Sequence, residues 1–382
     1  MSQPLYSIEI LDNNQQPITR LKALVPLDPL GNIIKYTSRL SDSGTARFRV
    51  ATHDPLLVKY GDILQPWANH VRILRSGVNV WQGYIQDCPQ RNKRFIEVKA
   101  FTYLEQLKKV LVPHDPVTVD GEDQKAYATG NMTQAIQGLV SAVQANATGL
   151  IIKGITNGQI DNPVFPQGFY NGTTDISGQP WAFSDIFTLK FDFVDVHYVL
   201  TAFGIYSNSD LELTPDLKLN FIHRLGVDKP ELVFEYSQYG MIDDFNTPLD
   251  GKNQVNHIVA IASDINDNLL KLDVPSDAAS IAKYGKLDGV AAYNDVKNKN
   301  ALSQRLSEEL RLNSTPDTEM RMVLSKRAYP LGQYGLGDTC TFKVKLGPIN
   351  VNQLRQIIGI EVDVHNTGNE KVILNTNKPR SK

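Results

Sequence analysis

The sequence predicts a mainly β protein with α+β insertions, and three observations support this class. Apolar and polar residues alternate through the opening positions, for example in Arg47-Phe48-Arg49-Val50, and this is the two-residue period of half-buried strands. Turn residues recur about every ten positions, as they do in small barrels and sandwiches. Helical spacing is confined to a few short segments. At 382 residues the chain is also too long for one core, which predicts several domains.

The opening segment 1–112 predicts a β-barrel. Residues 71–85 form a predicted hairpin, in which Ser76-Gly77 supplies the positive backbone torsion that a tight turn needs. Residues 95–98 continue the set of strands. The alternation then fades, and the polar, turn-rich segment 113–129 predicts a crossing between domains.

The rest of the chain mixes helices with strands. Apolar residues at helical spacing predict helices over 133–145, 195–206 and 294–312. The segment 149–180, rich in Gly, Asn and Pro, predicts a long loop or short strands. Further strands are predicted at 211–224, 256–263 and 320–324.

The two ends of the chain resemble each other. The positions matched at one constant offset are Arg47, Tyr60 and Gly61 with Arg321, Tyr334 and Gly335. A two-residue insertion, Leu336-Gly337, then brings Asp62 opposite Asp338, Gly83 opposite Gly359, and 95–98 opposite 371–374. We interpret this echo as a duplication that yields two related β-barrels. The alternative is that the two segments are unrelated and show only the strand and turn patterns common to antiparallel sheets, since Gly-Asp before a strand is typical of turns in either case.

The echo and the element order together predict four parts of the chain. They are a first β-barrel at 1–112, an α+β accessory domain at 113–235, a second β-barrel at 236–275 and 320–382, and an inserted helical element at 276–319. Two similar modules per subunit suit a ring, because three copies present six quasi-equivalent modules.

In this order of elements the chain resembles the trimeric baseplate or tail-tip hub proteins of long-tailed bacteriophages. That group includes the amino-terminal part of tail-associated endopeptidase-like proteins. The resemblance rests on the succession Tyr-Gly, helix, Pro, strand, Gly-Asp, strand in the last third, and on one turn and one strand of the opening barrel. The residues that carry it are Tyr60-Gly61-Asp62, Trp81-Gln82-Gly83, 282–286, 301–310, Pro316 and Tyr334-Gly335-Leu336-Gly337-Asp338.

The resemblance implies two tail-tube-like barrels and smaller accessory domains, assembled as a homotrimer that joins the hexameric tail tube to the tail tip and lines the DNA ejection channel. The implied partners are a tail tube or distal tail protein ring and tail-tip, tape-measure or receptor-binding proteins. Viral DNA passes without tight binding. The implied location is the virion tail tip, after synthesis in the host bacterial cytoplasm. The residues expected to form architectural turns are Gly61, Asp62, Gly83, Gly337, Asp338 and Gly359.

Composition and motif spacing favour a structural role. Lys and Arg total 39 and Asp and Glu total 41, so the basic excess of a dedicated nucleic-acid binder is missing. Cys88 and Cys340 are predicted to be unpaired strand residues, and the seven histidines lack the spacing of zinc ligands. The start resembles no secretory signal, and no apolar run approaches the ~20 residues of a membrane helix. We therefore expect no enzyme activity, cofactor, metal site or membrane span.

Two other functions stay open from the sequence. A receptor- or carbohydrate-binding tail module is the first, because aromatic residues crowd the segment 165–181. A cell-wall hydrolase is the second, because Asp243-Asp244 or Glu308-Glu309 could supply paired carboxylates. Neighbouring acids point in different directions along a chain, so these pairs predict exposed surface more readily than catalysis.

Overall fold

The structure is a computed structural model and describes most of the chain. The described residues are 4–111, 126–127, 156–160, 189–190, 195–206, 209–248, 251–263, 269–273, 277–293, 299–316 and 319–379. The predicted helix at 133–145 and the aromatic segment at 165–181 lie outside them.

Strands dominate the described residues, which confirms the mainly β class. The strands of the first part are β1 (Tyr6–Leu11), β2 (Pro17–Arg20), β3 (Leu24–Val25), β4 (Asn32–Arg39), β5 (Thr45–Ala51), β6 (His70–Arg75), β7 (Val78–Arg91) and β8 (Phe95–Phe101). Those of the middle are β9 (Ala126–Tyr127), β10 (Thr156–Ile160), β11 (Leu189–Lys190), β12 (Asp210–Leu213), β13 (Lys218–Ile222), β14 (Asp228–Tyr236) and β15 (Ile242–Asn246). The last are β16 (His257–Ser263), β17 (Leu269–Asp273), β18 (Asp288–Ala292), β19 (Met320–Leu324), β20 (Thr339–Leu346), β21 (Ile349–His365) and β22 (Glu370–Asn377).

Five helices accompany these strands in the described residues. They are α1 (Pro55–Tyr60), α2 (Leu104–Leu107), α3 (Val196–Tyr206), α4 (Ala278–Tyr284) and α5 (Lys299–Asn313). The predicted helices at 195–206 and 294–312 correspond to α3 and α5, although 294–298 lie outside the described part. Within that part, no helix has the length and apolar character needed to cross a membrane.

One sheet of 14 strands forms the body of the molecule. Its longest path runs β15-β19-β22-β21-β4-β5-β8-β7-β6-β1-β2, and β14, β20 and β3 join it from the side. Smaller sheets are formed by β10-β13-β12, by β17-β16-β18 and by β11 with β9. The large sheet therefore contains strands from both ends of the chain.

Two halves of the large sheet have the same strand order. The first repeat is β4-β5-β8-β7-β6-β1, and the second repeat is β15-β19-β22-β21-β20-β14. Phe48 lies between Ile34 and Val98 in the first repeat. Met322 lies between Phe245 and Leu374 in the second. These pairings reproduce the echo for Arg47 with Arg321 and for 95–98 with 371–374, and so they support a duplication over chance similarity of two sheets. The match of Gly83 with Gly359 is not reproduced, because Gly359 pairs with Asn375 whereas Asp87 pairs with the corresponding Lys99.

The repeats differ from the prediction in one respect, because neither closes into a barrel in the described residues. The path is open at β15 and at β2. The two predicted barrels are instead two open repeats of one sheet, joined where β4 of the first repeat pairs with β21 of the second. We call this junction the seam.

The described residues form two hydrophobic cores, one within the large sheet and one between that sheet and the helices and small sheets. The first core combines buried residues from both repeats, such as Phe48, Val98, Met322 and Leu374. The second combines α3, α5, β12, β13, β16 and β17 with the end of the first repeat around Tyr103. The two repeats therefore share one core, because the seam makes their sheets continuous.

Sheet pairing divides the chain differently from the predicted domain bounds at two places. Strand β14, of which residues 228–235 were expected in the accessory domain, pairs with β20 in the large sheet. Residues 257–263, expected in the second barrel, form β16 of a separate three-stranded sheet. The remaining bounds stay a prediction.

The predicted hairpin at 71–85 is confirmed. Strands β6 and β7 pair through it, and the turn residues Ser76 and Gly77 have φ values of 50° and 83°. Two successive positive φ values match the twist of the flanking strands, which is why such a turn is favoured in hairpins.

Candidate functional site

A row of charged side chains crosses both repeats on the face of the sheet that lies away from the core. Lys371 lies opposite Asp363, and Asp363 lies opposite Lys35 across the seam. The row then continues through the first repeat. Its members, in order across six strands, are Lys371, Asp363, Lys35, Arg47, Lys99 and Asp87. We call these six residues the charged row.

The adjacent residues of the same strands face the core. Val364, Ile34, Phe48 and Val98 are each 0% exposed. Successive side chains of a strand point to opposite faces, so burial of one set places the charged row on the open face. This alternation is the reason that one sheet supplies both a dry core and a charged surface.

Carboxylates balance the basic side chains of this face. Lys35 Nζ lies 3.1 Å from Asp28 Oδ2 and 3.7 Å from Asp363 Oδ2. Lys99 Nζ lies 3.9 Å from Asp87 Oδ2. Arg47 contacts Glu97, so three of the four basic side chains in the charged row contact a carboxylate.

Glu97 is the buried member of this network. Arg47 Nε donates to Glu97 Oε1 at 2.6 Å, and Arg49 Nε donates to Glu97 Oε2 at 2.8 Å. Burial raises the pKa of Glu97, but the hydrogen bonds from Arg49 and Arg47 outweigh it and hold the pKa below its usual range. The carboxylate therefore stays charged near neutral pH and offsets one of the two positive charges of the guanidinium groups beside it.

A second polar network locks the two repeats together near the seam. Arg75 donates to both oxygens of Glu370, at 2.6 and 3.0 Å, in a two-pronged ion pair. Tyr6 Oη donates to Glu370 Oε1 at 2.5 Å, and Tyr6 Oη lies 3.3 Å from Tyr36 Oη. Burial is the largest cause of a raised pKa at Tyr36, to about 12. These contacts join the start of the chain to its last strand.

The turn residues predicted in the first repeat lie at the end of α1. Gly61 is the C-cap of α1 with a φ of 74°, and a Cβ there would meet nothing within 4 Å. Asp62 lies 3.4 Å from Arg91, with both side chains about half exposed. This turn therefore shapes the backbone at the surface without filling an interior space.

The turn predicted in the second repeat is buried. Gly337 has a φ of 82°, and a Cβ there would lie 2.1 Å from the Leu225 carbonyl oxygen. Asp338 is 4% exposed and accepts hydrogen bonds from the backbone N–H groups of Val227 and Gly335 and from Lys229 Nζ, at 2.8 to 2.9 Å. The Gly-Asp pair thus fastens the start of β14 to the start of β20.

The two glycines predicted in strands also differ in how much space surrounds them. A Cβ on Gly83 would lie 2.0 Å from the Phe101 carbonyl oxygen, so only glycine fits against β8. A Cβ on Gly359 would lie 3.2 Å from Asn375 Nδ2, which belongs to a side chain that can move. The structure thus gives a local reason for Gly61, Gly83, Gly337 and Asp338, whereas Asp62 and Gly359 are loosely constrained. The part of all six residues in assembly stays a prediction.

Other candidate chemistry is spread out. Cys88 on β7 and Cys340 on β20 are free thiols, and burial raises the pKa of Cys340 to about 12. No group of three His, Cys, Asp or Glu side chains that could hold a metal ion occurs among the residues that the structure describes. The charged row, in contrast, continues across six strands.

Sequence reasoning missed the charged row because it depends on register. The alternation in Arg47-Phe48-Arg49-Val50 marked basic side chains on one face of a strand. Pairing of that strand with the strands of Lys35, Lys99 and Asp363 is set by contacts between distant parts of the chain, which periodicity does not reveal.

No protein-family model and no curated protein sequence matches the chain. Solved structures are similar over almost its whole length. The tail protein from Neisseria meningitidis MC58 has a TM-score of 0.62 at 12% identity, over 97% of this chain and 96% of that one. The 43 kDa tail protein of prophage MuSo2 from Shewanella oneidensis has a TM-score of 0.61 at 11% identity, over 98% of both chains. Prophage tail protein gp18 from Listeria monocytogenes EGD-e has a TM-score of 0.58 at 12% identity, over 98% of this chain and 95% of that one.

These three proteins come from different bacteria, yet each covers nearly all of this chain. At such low identity the likeness is one of fold. The resemblance that the sequence predicts is thus confirmed at this level: the chain has the fold of phage tail proteins.

Proposed function

We propose that the chain is a structural component of a phage tail, and that it acts as a tail-tip or baseplate hub. Three copies form a ring that joins the hexameric tail tube to the tail tip. The observation that carries this proposal is the pair of repeats with equal strand order in one sheet. Three chains with two repeats each present six similar modules, and a closed ring of identical contacts is the usual form of such an assembly.

In this ring the charged row lines the DNA ejection channel. Its basic side chains contact carboxylates, as described for Lys35, Arg47 and Lys99. DNA is held when phosphates replace the counterions of free Lys and Arg side chains. A surface on which most of the cations already contact carboxylates lets the polyanion pass. The role is mechanical, with no catalytic step.

The first test is the mass of the purified chain by native mass spectrometry over a concentration series. A closed trimer of the 42.6 kDa chain has a mass of about 128 kDa. Electron microscopy of that species should show a central channel with strong sixfold character. A strict monomer at every concentration, both alone and with a tail-tube ring, contradicts the hub.

The second test concerns the channel face. Asp87→Lys with Asp363→Lys removes two carboxylates from the charged row and adds two cations. The variant ring should retain double-stranded DNA in a salt-dependent way, whereas the parent ring should not. Asp216→Lys with Asp288→Lys is the matched control, because these exposed acids pair with Lys218 and Lys286 outside the large sheet. Equal DNA retention by both variants argues against a channel-lining role of the row.

A further inference from the structure

Three segments of the second repeat meet at one end of the large sheet. Strand β14 pairs with β20 as far as Tyr236 and Val344, so the turn that follows β14 begins beside Lys345. The Gly240 N–H donates to the Ser237 carbonyl oxygen at 2.9 Å and closes this turn. The tip of the β20–β21 hairpin and the turn after β14 are therefore neighbours.

The loop after β19 packs on the same turn. Ser325 donates its backbone N–H to the Met241 carbonyl oxygen at 2.9 Å and its hydroxyl to the Gly240 carbonyl oxygen at 3.0 Å. The Arg327 guanidinium then lies over the ring of Tyr239, 5.2 Å from the ring centroid. The hairpin, the turn and the loop thus form one surface.

Cations and an aromatic ring are exposed on this surface, which we call the basic corner. Its members are Tyr239, Lys326, Arg327, Lys343 and Lys345. The Tyr239 side chain is 74% exposed. Phe342 and Val344 of β20 are 0% and 1% exposed, so the lysines that alternate with them point to the open face of the sheet.

The cations of the basic corner are free to bind a ligand. None of the four forms an ion pair with a carboxylate in the described part of the chain. Opposite Lys343 on β14 lies Glu235, which is exposed and balances at most one of the four charges. The corner therefore has a local excess of positive charge, although the chain as a whole is nearly neutral.

The first repeat uses the equivalent cation internally. Counted back from the two hairpin turns, Lys343 of β20 corresponds to Arg72 of β6. Arg72 lies 3.5 Å from Glu9 and donates to Gln82 at 2.9 Å. The cation at this duplicated position is thus bound within the chain in the first repeat and is available to a partner in the second.

We infer that the basic corner is the docking surface for an acidic segment of a different virion protein. The inference rests on the proposed function and deepens it, because it gives the chemistry of one partner of the hub. Neighbouring strands lie about 4.8 Å apart, so the corner extends over roughly three such spacings, or about 15 Å. An extended chain of about five residues covers this distance. Carboxylates at its alternate positions reach the hairpin lysines at one end and the loop cations at the other.

The apolar and aromatic groups of this surface favour a protein over a phosphate polymer. Leu346 follows Lys345 at the hairpin tip and is 50% exposed. A protein partner can bury Leu346 and Tyr239, whereas a DNA backbone leaves them in water. Arginine and tyrosine are enriched at protein interfaces. With its planar group stacked on Tyr239, Arg327 still presents its N–H groups for a two-pronged contact with a carboxylate.

Peptide binding tests the inference. The probe is a labelled peptide of alternating glutamate and leucine, titrated with the full chain at low salt and followed by fluorescence anisotropy. The test variant carries Lys326→Gln, Arg327→Gln, Lys343→Gln and Lys345→Gln. The matched control carries the same change of charge at exposed cations of the first repeat, Lys22→Gln, Lys59→Gln, Lys93→Gln and Arg94→Gln. We expect the test variant to bind at least tenfold more weakly than the parent, and the control to stay within about twofold.

Three results would overturn the inference. The first is that the parent does not bind the peptide. The second is an equal loss in both variants while circular dichroism shows them folded, because net charge alone then explains binding. The third is duplex DNA bound through the same four residues as tightly as the peptide, because the ligand is then a phosphate polymer.

The stacked pair gives an independent measure. Tyr239→Ala leaves the charge unchanged but removes the ring beneath Arg327, and it should weaken peptide binding at least threefold. Tyr60→Ala is the matched control, because the ring of Tyr60 lies 4.9 Å from Lys59 Nζ in the first repeat. This control should bind like the parent. Equal binding by the two variants contradicts the stacked arrangement on which the inference rests.

Native mass spectrometry separates this inference from the hub itself. The variant with four substitutions in the basic corner should have the same assembled mass as the parent. If it is folded but no longer assembles, the corner joins copies of this chain, and the inference fails while the hub stands. A parent that stays monomeric with and without a tail-tube ring, yet binds the peptide through the corner, contradicts the hub and supports the inference.

Discussion

The first and second repeats share a strand order but treat their equivalent residues differently. Tyr60 ends α1 and is 43% exposed, whereas Tyr334 is 3% exposed. The difference comes from β14, which lies parallel to β20 and places Phe234 edge-on to the Tyr334 ring at 5.4 Å. The corresponding strand of the first repeat, β1, lies antiparallel to β6. The same residue type at a duplicated position is therefore buried or exposed according to the strands that pack around it.

Truncating the two tyrosines should give the largest contrast between the repeats. Tyr334→Ala removes a buried ring and should lower the free energy of unfolding by about 4 kcal/mol. Tyr60→Ala removes a half-exposed ring and should cost less than about 1 kcal/mol. Chemical denaturation of both variants measures the difference. Tyr334→Phe is the control and should be nearly neutral, because the Tyr334 hydroxyl has no hydrogen-bond partner among the residues that the structure describes. Equal losses for the two alanine variants would contradict the packing difference.

The strand glycines should give the next contrast. Gly83→Ala forces a Cβ against the Phe101 carbonyl oxygen and should cost about 3 kcal/mol or prevent folding, since backbone must move. Gly359→Ala meets the amide of Asn375 and should cost less than about 1 kcal/mol. Thermal unfolding of the two variants is the measurement. A larger shift for Gly359→Ala is the outcome that excludes this explanation.

The two turn aspartates sharpen the comparison further. Asp338→Ala leaves two backbone N–H groups and Lys229 without their buried acceptor, so we expect a loss of about 2 kcal/mol. Asp62→Ala breaks one exposed ion pair with Arg91 and should change stability by no more than about 0.5 kcal/mol. Urea titrations of both variants decide whether the Gly-Asp turn is structural in the second repeat alone.

Acid should act on the first repeat through His70. This residue on β6 is 2% exposed and shares a hydrogen bond of 2.9 Å with Tyr103 Oη, and burial lowers its pKa to about 4. The unfolded chain binds a proton on His70 near pH 6.5, whereas the folded chain does so only near pH 4. The contribution of His70 to the free energy of unfolding is therefore fully present above about pH 6.5 and is lost as the pH falls toward 4. The expected loss is about 1 kcal/mol between pH 7 and pH 5.5. His70→Gln should flatten this part of the stability curve, and an unchanged curve would assign the effect to other groups.

Local patterns in the sequence predicted much of the secondary structure. The alternation at Arg47 to Val50, the Ser76-Gly77 turn and the leucine spacing of α5 each report contacts within a few residues. The relation between the two ends of the chain also followed from matched positions, although the strand order of the repeats did not. Pattern and turn chemistry act over short distances, and for that reason they are readable from the chain alone.

Features that depend on distant pairing could not be predicted. Strand β14 has few buried positions and no clear alternation, so its place beside β20 gave no signal. The seam depends on the register between Gly359 and Arg39, more than three hundred residues apart. The charged row follows from that register. Membership of 257–263 in a separate sheet likewise follows from pairing with β17 and β18 rather than from its own composition.

The seam also has a consequence for the order of events during synthesis. Strand β4 leaves the ribosome early, but its partner segment in β21, from Gly359 onward, is made more than three hundred residues later. At the usual rate of translation this interval is on the order of tens of seconds. Throughout it the nascent first repeat carries an uncovered strand edge, which is a site for pairing with other growing chains. Neighbouring ribosomes on one message therefore hold nascent chains whose β4 edges are uncovered at the same time, which favours incorrect pairing between chains. The exposure of this edge ends only when β21 has been made and pairs with β4.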